Sequence, residues 1–142
     1  MDHVPDTPAE LIASGYKARK EHRPEQAKEI FSEAVRLSRT AADSALLASS
    51  LVALGQIERD LNHIDLALQH YWEAVDILRT SPHRLRLAHA TRHLADIFRK
   101  LGSRADALAC YAEALKSIAN TRKPRLSTLP TPRLRTAQRR CW

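Results

Sequence analysis

The chain has 142 residues, of which 44% are hydrophobic and 27% charged, a composition that suits one folded domain. Its two cysteines, Cys110 and Cys141, form no CxxC motif or disulfide framework. This predicts a reducing compartment and a cytoplasmic location. The opening stretch MDHVPDTPAE lacks the apolar core of a signal peptide, and no apolar run reaches the length of a membrane span. These features argue against secretion and against membrane insertion.

The net charge of +7 is unevenly distributed along the chain. Residues 1–120 hold 16 basic and 16 acidic side chains, so their formal charge is zero. Residues 121–142 hold seven basic side chains and no acidic one. The predicted folded part therefore has no net field that would attract nucleic acid. The basic tail supports an alternative function, association with nucleic acid or an anionic surface.

Six helices are predicted in chain order. Thr7-Pro8-Ala9-Glu10 is a capping box that opens the first helix, and Pro24 opens the second. Ser81-Pro82 repeats the cap-and-proline signal, and Gly102-Ser103 separates the last two helices. The predicted helices lie near residues 7–22, 24–39, 42–61, 64–79, 82–101 and 104–119. Residues 1–6 are predicted to be an N-terminal extension and the proline-containing segment 121–142 a disordered tail.

One pattern repeats every 40 residues. Each second helix carries an alanine, an aromatic residue four positions later and another alanine three positions after that: Ala27/Phe31/Ala34, Ala67/Tyr71/Ala74 and Ala107/Tyr111/Ala114. These positions share one side of a helix, which must pack against another helix. Gly15, Gly55 and Ala95 recur in the first helices at the same period. The sequence therefore predicts three antiparallel helical hairpins, 7–39, 42–79 and 82–119, within a domain over 7–120.

The stretch RHLADIFRKLGSRADALACYAEAL, from Arg92 to Leu115, resembles the tetratricopeptide repeat family. The family's usual period is about 34 residues. The longer period of 40 is similar to that of kinesin light chain repeats. The resemblance implies an all-α fold, a right-handed solenoid of three antiparallel helix pairs. It also implies a protein-binding adaptor or scaffold rather than an enzyme, with a concave groove lined by the first helices.

The family's ligand-facing positions, carried over to this chain, imply nine peptide-binding residues: Tyr16, Arg19, Val52, Gln56, Arg59, His89, Arg92, Asp96 and Arg99. Arg19, Arg59 and Arg99 recur at the 40-residue period, so we expect an arginine ladder along the groove. Because guanidinium groups bind carboxylates through paired donors, the expected ligand is an acidic peptide or one with a free C-terminal carboxylate. The alternative interpretation is a solvated helix face.

The remaining sequence predicts no catalytic residue, metal or cofactor. No glycine-rich phosphate loop, Ser/His/Asp set or convergent carboxylate pair occurs. His89 and His93 have zinc-ligand spacing, but two histidines on a helix are too unspecific a signal without a third ligand such as His70 or Cys110. No capping helix follows the third pair, so Leu115 and its neighbours Leu108 and Ile118 are predicted to form an apolar edge. Such an edge favours a homodimer or a partner domain.

Overall fold

The computed structural model describes residues 7–128, and side chains over residues 7–119. Over this part the chain forms six α-helices and no strand. They are α1 (Pro8–Lys20), α2 (Pro24–Thr40), α3 (Ser44–Asp60), α4 (Ile64–Arg79), α5 (Arg84–Lys100) and α6 (Arg104–Thr128). The all-α prediction and its pairing of helices are confirmed, since α1 packs on α2, α3 on α4 and α5 on α6.

The end of α6 differs from the prediction. The sequence predicts that order ends at residue 120, whereas α6 continues to Thr128. Extending an existing helix adds one backbone hydrogen bond per residue and needs no new nucleus, so a helix can run past its last packed residue. The remainder of the predicted tail, 129–142, and the predicted extension, 1–6, lie outside the described residues.

The three hairpins share one turn geometry. Three residues connect the helices of each hairpin, and the middle one is left-handed: His22 (φ 61°), Asn62 (φ 64°) and Gly102 (φ 80°). The next backbone N–H folds back onto the preceding helix, as in the 2.9 Å bond from Arg23 N–H to the Ala18 carbonyl. This arrangement satisfies carbonyls that a helix end leaves unpaired. One turn repeated at one register gives three equivalent hairpins.

Glycine allows the first two hairpins to close tightly. A Cβ atom on Gly15 would lie 2.3 Å from the Phe31 ring, and one on Gly55 would lie 2.6 Å from the Tyr71 ring. Each aromatic ring is fully buried and occupies the space that a side chain on the facing helix would need. The third hairpin has Ala95 at this position. The periodic alanine and aromatic stripe is thus the contact surface within each hairpin.

Successive hairpins stack through α2 against α3 and through α4 against α5. The first helices also meet, α1 with α3 and α3 with α5. We call the surface that α1, α3 and α5 form together the first-helix wall. All nine predicted ligand-facing residues lie on these three helices, and six of them line two depressions.

Candidate binding groove

The first depression in the first-helix wall, which we call the apolar groove, has a volume of about 410 Å³. Three predicted residues line it, Tyr16 from α1, Val52 from α3 and His89 from α5. The Tyr16 ring meets Phe31 edge to face at 5.1 Å between centroids. Burial raises the pKa of the Tyr16 phenol, although nearby Arg19 opposes the shift. The other lining residues are Ile12, Ala48, Ser49, Leu78, Leu85 and Arg86.

Arg86 fixes one edge of the apolar groove. Its Nη1 atom donates to Ser49 Oγ at 2.7 Å and to the Ala45 carbonyl at 3.3 Å, which ties α5 to α3. Sequence reasoning missed Arg86 because residue 46, one period earlier, is leucine. It also missed Ile12, although Ile12 stands one period before Val52 and could have been found by that spacing.

Arg19 is already bound within the protein. Its Nε atom donates to Asp60 Oδ2 at 2.7 Å, and its Nη1 atom donates to Gln56 Oε1 at 3.2 Å. The hydrogen bond to Asp60 is the main cause that raises the pKa of Arg19. Both ion-pair side chains are about one third exposed. Arg19 therefore joins the first hairpin to the second, which weakens the prediction that it serves as a ladder position.

Gln56 connects α3 to α5 through a buried contact. Its Nε2 atom lies 3.1 Å from His93 Nε2. When the amide donates, His93 accepts on Nε2 and carries its proton on Nδ1, which is buried and has no partner among the described residues. Burial is the largest cause that lowers the pKa of His93 to about 4, followed by the charge of His89. Neutral His93 stacks on Tyr71, with ring centroids 5.2 Å apart.

The second depression, which we call the basic pocket, has a volume of about 420 Å³ and is lined by Arg59, Asp96, Arg99 and Lys100. Three cations surround one carboxylate. Asp96 accepts a hydrogen bond from the Tyr111 hydroxyl. Among the described residues, the guanidinium groups of Arg59 and Arg99 have no hydrogen-bond or ion-pair partner. The basic pocket can therefore receive an anion through two unengaged guanidinium groups.

The charge pattern explains why Arg59 differs from Arg19. Arg19 pairs with Asp60 of the next hairpin. One period later, the residue at the position of Asp60 is Lys100, which cannot pair with Arg59. Arg59 therefore has a second cation at the place where Arg19 has its carboxylate partner. The arginine repeat is regular in sequence but has different partners in successive hairpins.

The predicted site residues thus separate into groups. Tyr16, Val52 and His89 lie together in the apolar groove, and Arg59, Asp96 and Arg99 lie together in the basic pocket. Arg19 and Gln56 are held in contacts between hairpins. Arg92 lies apart from both depressions, on the outer side of the third hairpin.

Histidine and cysteine side chains are the other candidates for chemistry in the described part of the chain. No cluster of three His, Cys, Asp or Glu side chains among the described residues is arranged to hold a metal ion. The His89 and His93 rings meet edge to face, with centroids 4.6 Å apart. Burial raises the pKa of the Cys110 thiol, which lies in the hydrophobic core. None of the described helices combines the length and apolarity that crossing a bilayer requires.

Comparison with known proteins agrees with this architecture. Residues 14–80 match the model of the tetratricopeptide repeat family. The tetratricopeptide repeat domain of Arabidopsis FLU superposes with a TM-score of 0.71 at 18% identity, over 80% of this chain and 95% of that domain. BtubC (BKLC) from P. vanneervenii superposes with a TM-score of 0.70 at 22% identity, over 79% of this chain.

The chain spans 46% of the BtubC chain. A search of curated proteins finds no match. At these identities the two structural likenesses establish the fold alone, and the family model adds the repeat type over the residues that it matches. The chain therefore carries tetratricopeptide repeats over residues 14–80 and shares the fold of tetratricopeptide repeat domains.

Proposed function

We propose that this chain is a protein-interaction scaffold that holds a peptide segment along its first-helix wall. The apolar groove receives apolar side chains of the peptide, and the basic pocket receives a carboxylate. That carboxylate is an acidic side chain or a free C-terminus. The observation that carries the proposal is the pair of unengaged guanidinium groups, Arg59 and Arg99, in one pocket of the same helix wall.

The proposal uses two ladder positions instead of three. Arg19 would have to give up its bonds to Asp60 and Gln56 before it could bind a ligand. Arg59 and Arg99 have no such bonds to give up among the described residues, so a carboxylate gains two charge-assisted contacts at lower cost. A nearby lysine, Lys100, increases the local positive potential.

The competing interpretation is electrostatic support of the helices themselves. Arg59 stands in the last turn of α3, and Arg99 in the last turn of α5. A cation in the last turn interacts favourably with the helix dipole whether or not a ligand binds. A binding measurement separates the two interpretations, because only the scaffold proposal predicts loss of affinity on charge reversal.

The experiment is a fluorescence anisotropy titration of the full chain with a labelled peptide. The probe is a leucine-containing acidic peptide with a free C-terminal carboxylate, and its amidated form serves as the control ligand. Arg59→Glu and Arg99→Glu are expected to weaken binding roughly tenfold or more each, since each replaces an attraction with a repulsion. Arg84→Glu is the matched control, because Arg84 is an exposed arginine outside both depressions.

Unchanged affinity in Arg59→Glu and Arg99→Glu would contradict the basic pocket, and equal binding of the amidated peptide would contradict C-terminal recognition. The alternative function through the basic segment 121–142 concerns side chains outside the described part and stays a prediction. The predicted homodimer through the third hairpin also stays a prediction. Its test is given below, together with that of the exposed apolar side of the third hairpin.

A further inference from the structure

The third hairpin leaves one side uncovered. Leu115 is 69% exposed, whereas Val75, one period earlier, is 1% exposed. Ile118 is 37% exposed, whereas Leu78 is 2% exposed. We call this side the open face. It forms a depression of about 390 Å³ lined by Leu85, Ala88, His89, Arg92, Tyr111, Ala114, Leu115 and Ile118.

The second hairpin shows what covers an equivalent face. One period earlier, the counterparts of six of these residues are buried under the next hairpin: Ala48, Val52, Tyr71, Ala74, Val75 and Leu78. The covering element is α5, which packs along α4 and touches α3. The protein therefore contains its own example of the helix that fits this kind of surface.

The face that α5 presents defines the pattern of a matching helix. Leu87, Ala90, Leu94 and Ile97 are buried and lie at intervals of three, four and three residues. His93 adds a ring that stacks on Tyr71 and a polar contact with Gln56. The counterpart of Tyr71 in the open face is Tyr111, whereas Asp96, the counterpart of Gln56, lines the basic pocket and not the open face. A helix that fits the open face has the same apolar spacing, with a ring at the position of His93 to stack on Tyr111.

The charge of the open face determines which residues should lie beside the apolar stripe of that helix. The lining of this face includes one permanent cation, Arg92, and no carboxylate, while burial lowers the pKa of His89 and keeps it neutral near pH 7. A second copy of this chain is a poor match in two ways. Two open faces related by a two-fold axis would place their Arg92 side chains on the same apolar patch. The outer side of α1 cannot replace the α5 pattern, because Glu10, Ser14 and Lys17 stand at the positions of Ala90, Leu94 and Ile97.

The chain's own segment 129–142 is also a poor match, since it holds four arginines and no acid. We infer that the open face binds an amphipathic helix of a partner protein, with an apolar stripe spaced like that of α5 and acidic residues beside the stripe. Apolar burial supplies most of the affinity, and the acidic flanks supply selectivity against basic helices. The open face is a different depression from the basic pocket, and it adjoins the apolar groove, with which it shares Leu85 and His89.

The test uses the full chain and a synthetic helical peptide. The peptide carries the α5 stripe, a histidine at the position of His93 and glutamate at the remaining exposed positions. Its controls are a peptide with the same composition and a scrambled stripe, and one with lysine in place of glutamate. Leu115→Glu is expected to weaken binding by on the order of tenfold or more, because it places an unpaired charge in the contact.

Leu108→Glu is the matched control variant. Leu108 is also a leucine of α6 and is also 69% exposed, but it lies outside the open face. Affinity retained in Leu108→Glu and lost in Leu115→Glu supports the inference. Binding no stronger than that of the scrambled peptide, or equal binding of the lysine peptide, overturns it. Sedimentation velocity without peptide tests the homodimer, since self-association that Leu115→Glu abolishes would assign the face to a second copy instead.

Discussion

The second and third hairpins carry the same stripe in different surroundings. Tyr71 of the second hairpin is fully buried, fits against Gly55 and is covered by His93 of the next hairpin. Tyr111 of the third hairpin is partly exposed, and its hydroxyl donates to Asp96. The stripe by itself fixes which helices form a pair, but the neighbouring hairpin decides how deeply the aromatic residue is buried. In a repeat protein, burial is a property of the stack rather than of the motif.

The largest expected difference between the two hairpins comes from truncating these tyrosines. Tyr71→Ala is expected to lower the free energy of unfolding by about 3–5 kcal/mol, because it empties a fully packed site. Tyr111→Ala is expected to cost about 1–2 kcal/mol, since its ring has fewer neighbours to lose. Urea denaturation followed by circular dichroism measures both. Equal losses would contradict the claim that stacking sets burial.

Lowering the pH tests the histidine that covers Tyr71. The pKa of His93 is lowered from 6.5 to about 4, so the unfolded chain binds a proton at His93 at a higher pH than the folded chain does. Its contribution to stability is complete above pH 6.5 and is lost as the pH falls toward 4. Between pH 7 and pH 5, the part of the free energy of unfolding that His93 contributes falls by at most about 2 kcal/mol.

Burial also lowers the pKa of His70 and His89. Protonation of these two side chains at low pH therefore destabilises the folded chain as well. A His93→Gln variant is therefore expected to retain part of the pH dependence and to lose its largest share. Denaturation midpoints at pH 7 and pH 5 for both proteins give the comparison. An identical pH dependence in the variant would mean that His93 is not the buried neutral group inferred from its geometry.

A smaller effect is expected at the close approach of helices. Gly55→Ala is expected to destabilise the chain by about 1–2 kcal/mol, because the new Cβ would lie 2.6 Å from the Tyr71 ring and the packed ring has little room to move. At the equivalent position of the third hairpin, Ala95→Gly is expected to cost about 1–2 kcal/mol, because it lowers helix propensity and removes a fully buried methyl group. Thermal denaturation checks the pair. A stabilising effect of Gly55→Ala would show that the ring yields easily.

The smallest expected effects concern the arginine column. Asp60→Asn removes the negative charge that pairs with Arg19, and because both side chains are about one third exposed the expected loss is only about 0.5–1 kcal/mol. Lys100→Asp places an acid at the equivalent position beside Arg59, which is expected to weaken binding of the carboxylate peptide and to leave stability nearly unchanged. Denaturation and anisotropy titrations of the two variants provide the test. Unaltered peptide affinity in Lys100→Asp would contradict the role of Arg59.

Much of the fold was predictable from residue spacing. The 40-residue recurrence of Ala27, Phe31 and Ala34 identifies the paired helices, because helix periodicity forces such a stripe against a neighbour. The end of α6 was not predictable from the stripe, since helix extension past residue 119 depends on local backbone cooperativity. The exposure of Leu115 agrees with the repeat pattern, because no further hairpin follows the third among the described residues.

The candidate site was predictable only in part. Spacing alone places Arg19, Arg59 and Arg99 in equivalent positions, but their availability depends on residues that do not repeat. Asp60 binds Arg19, whereas Lys100 stands opposite Arg59. Contacts between hairpins, such as that of Gln56 with His93, join residues 37 positions apart and have no counterpart in the repeat pattern. A sequence motif identifies the surface, and the specific partners decide which of its groups can bind.

The most direct test of the proposed binding surface is an NMR titration that observes the arginine Nε–Hε groups of the full chain as the free-carboxylate peptide is added. The signals of Arg59 and Arg99 are expected to shift with the same saturation curve, while that of Arg19 stays in place because Asp60 and Gln56 hold it. Shifts of Arg19 alone, or no shift of any of the three at saturation, would contradict the proposed site.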